Sequence, residues 1–280
     1  MLFRSANAAS AGLKAYVFIP ADLEQGKIIN SLVYGAQVIG IKGHYDEVNR
    51  LCAEIAGKFG WAFVNVNMRP YYAEGSKSMG FEIMEQLGWK IPQHTVVPMA
   101  SGSLLTKILK SYQEFTKLGL VEETKFKVHG AQATGCSPIS TAQKAGLDFF
   151  KAVKPNTIAK SLAIGTPADG FYALRAMKDT GAGADDVSDD EIRDAMKMLA
   201  ECEGIFTETA GGVTLGVAKK LIDSGKIGPN DSAVLCITGN GLKTLDAVVG
   251  HVGKTRDIKP SLREFEALLD AETKATAVLA

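Results

Sequence analysis

Two patterns of apolar and polar positions alternate along this chain, one typical of strands and the other typical of helices. Short apolar runs rich in β-branched residues predict strands, and they are separated by stretches in which apolar residues recur every three or four positions, as in helices. The predicted strands are 15–19, 37–41, 62–66, 95–100, 127–133, 205–207 and 233–238. The clearest helical spacings cover 47–59 and 104–115. Strands that alternate with helices predict βαβ units and a largely parallel sheet, so the fold class is α/β.

Local signals mark element ends and a boundary. Ser188 with Glu191, and Ser261 with Glu264, have capping-box spacing, so each pair predicts the start of a helix. The polar segment 181–189 predicts an exposed loop. Proline and glycine in 88–92 predict a boundary between a smaller α/β domain, residues 1–90, and a larger one, residues 91–280. We therefore expect two open, largely parallel sheet domains with flanking helices.

Composition narrows the functional classes. The 31 basic and 31 acidic residues cancel, so nothing in the charge balance indicates a nucleic-acid partner. No apolar run reaches the roughly 18 residues that a membrane span needs, which predicts no membrane partner. The four cysteines are widely spaced and form neither a CxxC pair nor a zinc pattern. Such cysteines are typical of reduced, mostly buried thiols in a cytoplasmic protein, and no metal site is predicted.

A loop after the predicted strand 95–100 carries the first candidate chemistry. Ser101, Gly102 and Ser103 separate that strand from a helix that begins at once. Free N–H groups and the partial positive charge at a helix start bind phosphate well, and the glycine lets the backbone approach closely. The same three residues would also serve as an ordinary helix cap in a strand-to-helix loop, so the loop by itself leaves both interpretations open.

Two further loops carry polar groups after predicted strands. Thr238 ends the strand 233–238 and precedes a Gly-Asn-Gly turn that lacks the spacing of a P-loop. Its hydroxyl could meet a ring nitrogen, although a simple tight turn explains the motif equally well. Asn67, Arg69 and Lys77 follow the strand 62–66 and could hold an anionic substrate, because arginine binds phosphate through two parallel N–H groups. A solvated loop explains these residues equally well. His129 lies in an apolar strand and is predicted to be a core histidine.

Five segments together resemble the threonine synthases, within the tryptophan-synthase-β-like fold group of pyridoxal-phosphate enzymes. They read PMASGSLLTK, HGAQATGCSPI, KSLAIGTPADGFYA, EGIFTETAGG and CITGNGLKT, and the likeness runs from about residue 8 to residue 268. The resemblance implies a lyase of threonine biosynthesis that uses pyridoxal 5'-phosphate. It implies a small amino-acid phosphate as substrate: O-phospho-L-homoserine and water would give L-threonine and phosphate.

The resemblance also implies roles for residues. Ser101, Gly102 and Ser103 match the loop that holds the cofactor phosphate, and Thr238 matches the residue at the pyridine nitrogen, which such a hydroxyl leaves unprotonated or weakly hydrogen-bonded. Asn67 and Arg69 match the positions that hold the substrate phosphate.

One part of the family pattern does not occur here. The family forms a Schiff base with a lysine in an FKD-type motif, and the 280 residues contain no such motif. The resemblance therefore leads us to expect an amino-terminally truncated chain with an incomplete first domain, no catalytic lysine and no activity by itself. A homodimer, or a complementing amino-terminal segment, would be its partner. A cysteate synthase (phosphoserine and sulfite), a threonine dehydratase and a non-catalytic phosphate- or cofactor-binding protein are the alternatives.

Overall fold

The computed structural model describes residues 2–64 and 70–279. It divides into two compact units, residues 1–247 and 248–280. Its strands are β1 Tyr16–Pro20, β2 Gln37–Ile41, β3 His94–Pro98, β4 Lys127–Ala133, β5 Ala184–Val187 and β6 Ala233–Leu235. Its helices are α1 Leu2–Ser10, α2 Gln25–Leu32, α3 Tyr45–Phe59, α4 Pro70–Gly75, α5 Lys77–Gln86, α6 Ser103–Lys117, α7 Pro138–Lys144, α8 Gly170–Asp179, α9 Asp189–Glu203, α10 Thr209–Asp223 and α11 Leu262–Leu279.

The described strands form two parallel sheets. β1 pairs with β2, and the second sheet has the order β5-β4-β3-β6. β3 and β4 are buried along nearly their whole length, which is why their sequences read as continuous apolar runs. The α/β class with parallel sheets and flanking helices is confirmed. One sheet precedes residue 91 and the other follows it, while the predicted domain boundary at that residue stays a prediction.

The larger sheet carries two groups of helices. α9 and α10 pack together, and α10 contacts β3, β4 and β5. α5 packs on α6, while α6, α7 and α8 contact the sheet from β3 to β5. The side chains between this second group and the sheet make the largest apolar cluster, and these core residues include Met84, Val97, Ile108, Tyr112 and Met177. The rigid core fixes where each strand ends, and therefore where the loops beyond the strands begin.

Helix starts follow the sequence signals closely. The Ser188 hydroxyl accepts the Glu191 N–H, and the Glu191 carboxylate accepts the Ser188 N–H, so the predicted capping box of α9 is confirmed. Ser261 accepts the Glu264 N–H at the start of α11. A second capping box, His44 with Glu47 at the start of α3, was not predicted, because histidine is an unusual cap residue.

Three strand predictions and one loop prediction need correction. Residues 62–64 of the predicted strand 62–66 are not in a strand, and 65–66 lie outside the described residues. The predicted strand 205–207 contributes one isolated bridge, Thr207 to Asn240, and the strand predicted at 233–238 ends at Leu235. The segment 181–189 is not an exposed loop, because it contains β5. Its polar sequence hid this strand: Asp185 and Asp186 each pair with Lys144, and only Ala184 and Val187 are buried.

Candidate functional site

Two loops far apart in sequence meet at the carboxyl edge of the larger sheet. β3 pairs with β6, with Val96 opposite Leu235, so the loops that follow these strands leave the sheet side by side. One loop contains Ser101, Gly102 and Ser103, and the other contains Thr238. Both line a cavity of about 1460 Å³ whose walls also include β1 and residues 61–64. Open parallel sheets bind ligands at this edge, which makes the cavity the candidate site.

The loop before α6 has the shape of an anion cradle. Gly102 has φ 93 and ψ −6, a left-handed conformation that side chains rarely adopt. A Cβ atom there would lie 2.9 Å from the Ala173 Cβ atom and 3.1 Å from the Asp169 carbonyl oxygen. The Asp169 N–H donates to the Ser101 carbonyl oxygen at 3.0 Å, and the Ser103 N–H approaches the Ser101 hydroxyl oxygen at 3.4 Å. These contacts hold the start of α6, whose first N–H groups have no partner within the helix, at the wall of the cavity.

Ser103 provides the most specific sign of a ligand. Its side chain is buried, and its hydroxyl has no hydrogen-bond partner among the residues that the structure describes. Buried hydroxyls are nearly always hydrogen-bonded in folded proteins, so an orphan at a helix start indicates a group that is bound there. Behind the loop, burial raises the pKa of the Asp169 carboxyl group, and the Lys107 ammonium and the Ser101 hydroxyl oppose this shift.

Thr238 lies beside an ion pair, between the buried Glu208 and the partly exposed Lys243, that sequence reasoning missed. Its hydroxyl is 3.4 Å from Oε1 of Glu208, and Oε2 of Glu208 is 3.2 Å from Nζ of Lys243. Glu208 is buried at the start of α10, and both charged residues line the cavity. The two side chains lie against Gly239, where a Cβ atom would come within 2.6 Å of Lys243 Nζ. Glu208 and Lys243 occur in the segments EGIFTETAGG and CITGNGLKT, so the signal was present, although the motifs alone assign no role to either residue.

The other candidate residues are distributed differently. Asn67 and Arg69 lie outside the described residues. Lys77 does not line the cavity, because its ammonium binds the carboxylates of Glu74 and Glu114 at 3.0 and 2.8 Å. The described contacts of Lys77 are with carboxylates of the protein itself, and its role towards an anionic substrate stays a prediction. His129 is buried in β4, as predicted for a core histidine.

Four described lysines line the cavity, and three of them form ion pairs. Lys27 pairs with Glu24, Lys160 with Asp22, and Lys243 with Glu208. The ammonium of the fourth, Lys14, lies 5.2 Å from the centre of the Tyr16 ring. The cavity therefore presents several basic groups to a ligand, but most of them are held by a carboxylate.

Other kinds of site find little support in the described residues. No group of three or more histidine, cysteine or acidic side chains could hold a metal ion there. No helix in that part of the chain is long and apolar enough to cross a membrane. The four cysteines are free, and burial raises the pKa of Cys136 to about 11 and that of Cys236 to about 12. Thiols with such pKa values are poor nucleophiles.

Comparison with known proteins identifies the family of the chain. The family model described as pyridoxal-phosphate-dependent enzyme matches residues 4–239. The chain belongs to this family.

Several curated relatives of this chain are named threonine synthases. Those of Methanocaldococcus jannaschii and Methanosarcina acetivorans are each 35% identical, over 88% and 86% of this chain. The enzyme of Bacillus sp. strain ULM1 is 32% identical over 95% of this chain and 72% of its own length. The chain spans 60% of the length of the two archaeal relatives.

Solved structures of other proteins share the fold of this chain. A fungal L-serine ammonia-lyase from Rhizomucor miehei matches with a TM-score of 0.72 at 20% identity, covering 89% of this chain and 78% of its own. Maize serine racemase matches with a TM-score of 0.70 at 20% identity, over 89% of this chain and 72% of its own. At this identity the likeness concerns the fold alone.

The cavity fits the cofactor of the family. The orphan hydroxyl of Ser103, the left-handed Gly102 and the start of α6 provide donors for a phosphate group. Thr238, on the neighbouring loop, would offer its hydroxyl to a polar ring atom of the cofactor. Pyridoxal phosphate carries a phosphate group and a ring nitrogen, so each end has a matching residue.

Proposed function

We propose that this chain forms part of a threonine synthase, which converts O-phospho-L-homoserine and water into L-threonine and phosphate. The observation that carries the proposal is 35% identity with an enzyme named threonine synthase over 88% of the chain. The loop Ser101–Ser103 and the hydroxyl of Thr238 add support because they line the same cavity. A single cofactor could then contact both loops.

Each residue has a defined task in this proposal. The hydroxyls of Ser101 and Ser103, together with the first N–H groups of α6, hold the cofactor phosphate, and Gly102 keeps the approach open. Thr238 binds the ring nitrogen. When bound, pyridoxal phosphate stabilises negative charge on the reacting carbon of the substrate, and the protein orients the substrate for that chemistry. Asn67 and Arg69 hold the substrate phosphate.

The proposal includes a limit on the isolated chain. The sequence contains no FKD-type lysine motif, and three of the four described cavity lysines form ion pairs with carboxylates. We therefore expect the 280-residue chain to need a lysine-bearing segment, supplied as a complementing partner, before it turns over substrate. The proposed location is the cytoplasm, and a homodimer is a further proposal.

Phosphate release tests the function. The purified chain, with pyridoxal phosphate and O-phospho-L-homoserine, is compared with a fusion to the lysine-bearing segment of the Methanocaldococcus jannaschii enzyme. We expect no turnover above free cofactor for the chain and equal amounts of phosphate and threonine from the fusion. A soluble fusion that binds cofactor but acts only on threonine or serine, releasing ammonia, would contradict the proposed substrate. Steady turnover by the chain alone would instead mean that one of its own cavity lysines links the cofactor.

A further inference from the structure

Glu208 presents an unusual neighbour to the ligand-facing hydroxyl of Thr238. Its carboxylate is buried and accepts a long hydrogen bond, of 3.4 Å, from the Thr238 hydroxyl. A carboxylate only accepts hydrogen bonds, and a threonine hydroxyl has one proton to donate. Thr238 can therefore donate to Glu208 or to a ring nitrogen, but not fully to both. The choice determines the protonation state of the ring nitrogen.

The two arrangements of the Thr238 proton have opposite consequences. If the hydroxyl donates to Glu208, it can only accept a hydrogen bond from the ring nitrogen, which must then carry a proton. If the hydroxyl donates to the ring nitrogen, that nitrogen carries no proton and a bare Glu208 carboxylate would repel the hydroxyl oxygen. A buried negative charge at this distance thus favours the protonated ring, unless another charge compensates it.

Lys243 is placed to provide that compensation. Its ammonium is 3.2 Å from the other Glu208 oxygen, Oε2. The Leu242 N–H donates to Oδ1 of Asn240 at 2.8 Å, which shapes the turn before Lys243. On the other side, Gly26 packs so closely that a Cβ atom there would lie 3.5 Å from the Lys243 Cα atom. The backbone around Lys243 is therefore held, and the ammonium is held over Glu208.

We propose that Lys243 is a positioning residue: by neutralising Glu208, it leaves the Thr238 proton to the ring nitrogen of the cofactor, which stays unprotonated. The inference rests on the proposed function only in taking the ring to lie at Thr238. The other described ionisable groups that line the cavity include Lys14, Asp22, Lys27, His44 and Lys160. All five residues are unchanged in every variant described below, so they cannot cause a difference between the variants.

The test uses pyridoxamine 5'-phosphate labelled with ¹⁵N in the ring, because this compound has no aldehyde to react with lysines. The ¹⁵N chemical shift of the bound ligand is followed against pH in the wild-type chain and in Lys243→Met, Lys243→Arg, Glu208→Gln and the double variant Glu208→Gln/Lys243→Met. We expect Lys243→Met to raise the protonation midpoint of the ring nitrogen by at least about one pH unit, a tenfold change. Glu208→Gln should lower the midpoint, Lys243→Arg should restore it, and the double variant should lie between the two single variants.

The outcomes distinguish failure of the role proposed for Lys243 from failure of the cofactor site. Equal midpoints in all variants that bind the ligand would overturn the role of Lys243 and leave the cofactor site intact. Failure of the wild-type chain to bind the ligand would instead count against the cofactor site, and with it the proposed function. If Lys243→Met does not fold, the downward shift expected for Glu208→Gln still decides the question, because an absent or upward shift contradicts the proposal.

Discussion

At the scale of single residues, Gly102 shows how tightly the cradle is built. Its left-handed backbone and the 2.9 Å approach to the Ala173 Cβ atom both exclude a side chain. We expect Gly102→Ala to lower the free energy of unfolding by roughly 2–4 kcal/mol, combining backbone strain with overpacking. Gly119 is the matched control, since it has φ 70 and a Cβ atom there would meet nothing within 4 Å, so Gly119→Ala should cost only about 1 kcal/mol. Equal losses in urea denaturation would contradict the crowding argument.

Substitutions at Ser103 and Thr95 are expected to have opposite effects on ligand affinity and on stability. The Ser103 hydroxyl is buried without a described partner, whereas the Thr95 hydroxyl is 3.0 Å from the Tyr112 hydroxyl. Ser103→Ala should weaken binding of pyridoxamine 5'-phosphate about tenfold and change stability by less than about 0.5 kcal/mol. Thr95→Val should do the reverse, costing about 1–2 kcal/mol because a buried hydroxyl loses its partner.

Calorimetric titration and denaturant unfolding of the same two variants measure both quantities. If Ser103→Ala leaves the affinity unchanged, the loop before α6 is an ordinary helix start. A loss of affinity in Thr95→Val that equals the loss in Ser103→Ala would show that the binding assay reports general disturbance of β3 rather than a specific contact.

At the scale of elements, a buried hydrogen-bonded chain ties the amino-terminal ends of the strands together. The Gly183 N–H donates to Nδ1 of His129, so His129 must carry its proton on Nε2. Nε2 of His129 is 3.0 Å from Nδ1 of His94, and Nε2 of His94 is 3.2 Å from the Asp231 carboxylate. This pattern requires a neutral imidazole at His129 and links β3, β4, the approach to β5 and the approach to β6.

The histidine chain makes stability depend on pH. Burial is the main cause that lowers the pKa of His129 to about 4, and the charges of Lys127 and Lys226 add to the shift. Between about pH 6.5 and pH 4 the unfolded chain therefore binds a proton at residue 129 that the folded chain does not. Stability from this residue is complete above about pH 6.5 and falls as the pH drops, by about 2 kcal/mol between pH 7 and pH 5.

Urea denaturation of the wild type and of His129→Gln at pH 7 and pH 5 tests this dependence. Glutamine keeps a neutral hydrogen-bonding side chain but does not titrate, so the variant should be less stable at pH 7 and lose about 2 kcal/mol less than the wild type on acidification. Parallel losses in the two proteins would show that other groups, and not His129, govern the acid sensitivity.

At the scale of the whole molecule, the two edges of the larger sheet differ in the groups that they carry. The carboxyl edge holds the cavity with the cradle and Thr238, while the amino edge holds the histidine chain. We expect a separately produced lysine-bearing segment of a threonine synthase, mixed with this chain, to create a visible absorbance band of linked pyridoxal phosphate. Neither component alone should show the band, and the chain with Ser103→Ala should need more cofactor to reach it. No band in a stable mixture would count against complementation.

Much of the architecture was predictable from local sequence. β2 and β4 were predicted with their observed bounds, and α3, α6 and α9 begin within two residues of the predicted starts. Apolar periodicity and caps act within a few residues, so they can be read from the chain directly. β5 could not be predicted, because its two aspartates are stabilised by Lys144, about 40 residues earlier, and not by burial.

The candidate site, too, has features that local sequence predicts and features that only the tertiary structure shows. The sequence by itself predicted the α/β class, and it singled out the loop Ser101–Ser103 because the residues that end a strand and start a helix are contiguous. Thr238 was selected as the polar residue before a Gly-Asn-Gly turn, although β6 ends earlier, at Leu235. Only the tertiary structure decided that these loops are neighbours, since the pairing of β3 with β6 joins segments more than 130 residues apart. It also decided that Ser103 lacks a described partner, that Lys77 is held by Glu74 and Glu114, and that Glu208 and Lys243 accompany Thr238. Hydrogen bonds and ion pairs between distant residues depend on packing geometry, which no local pattern encodes.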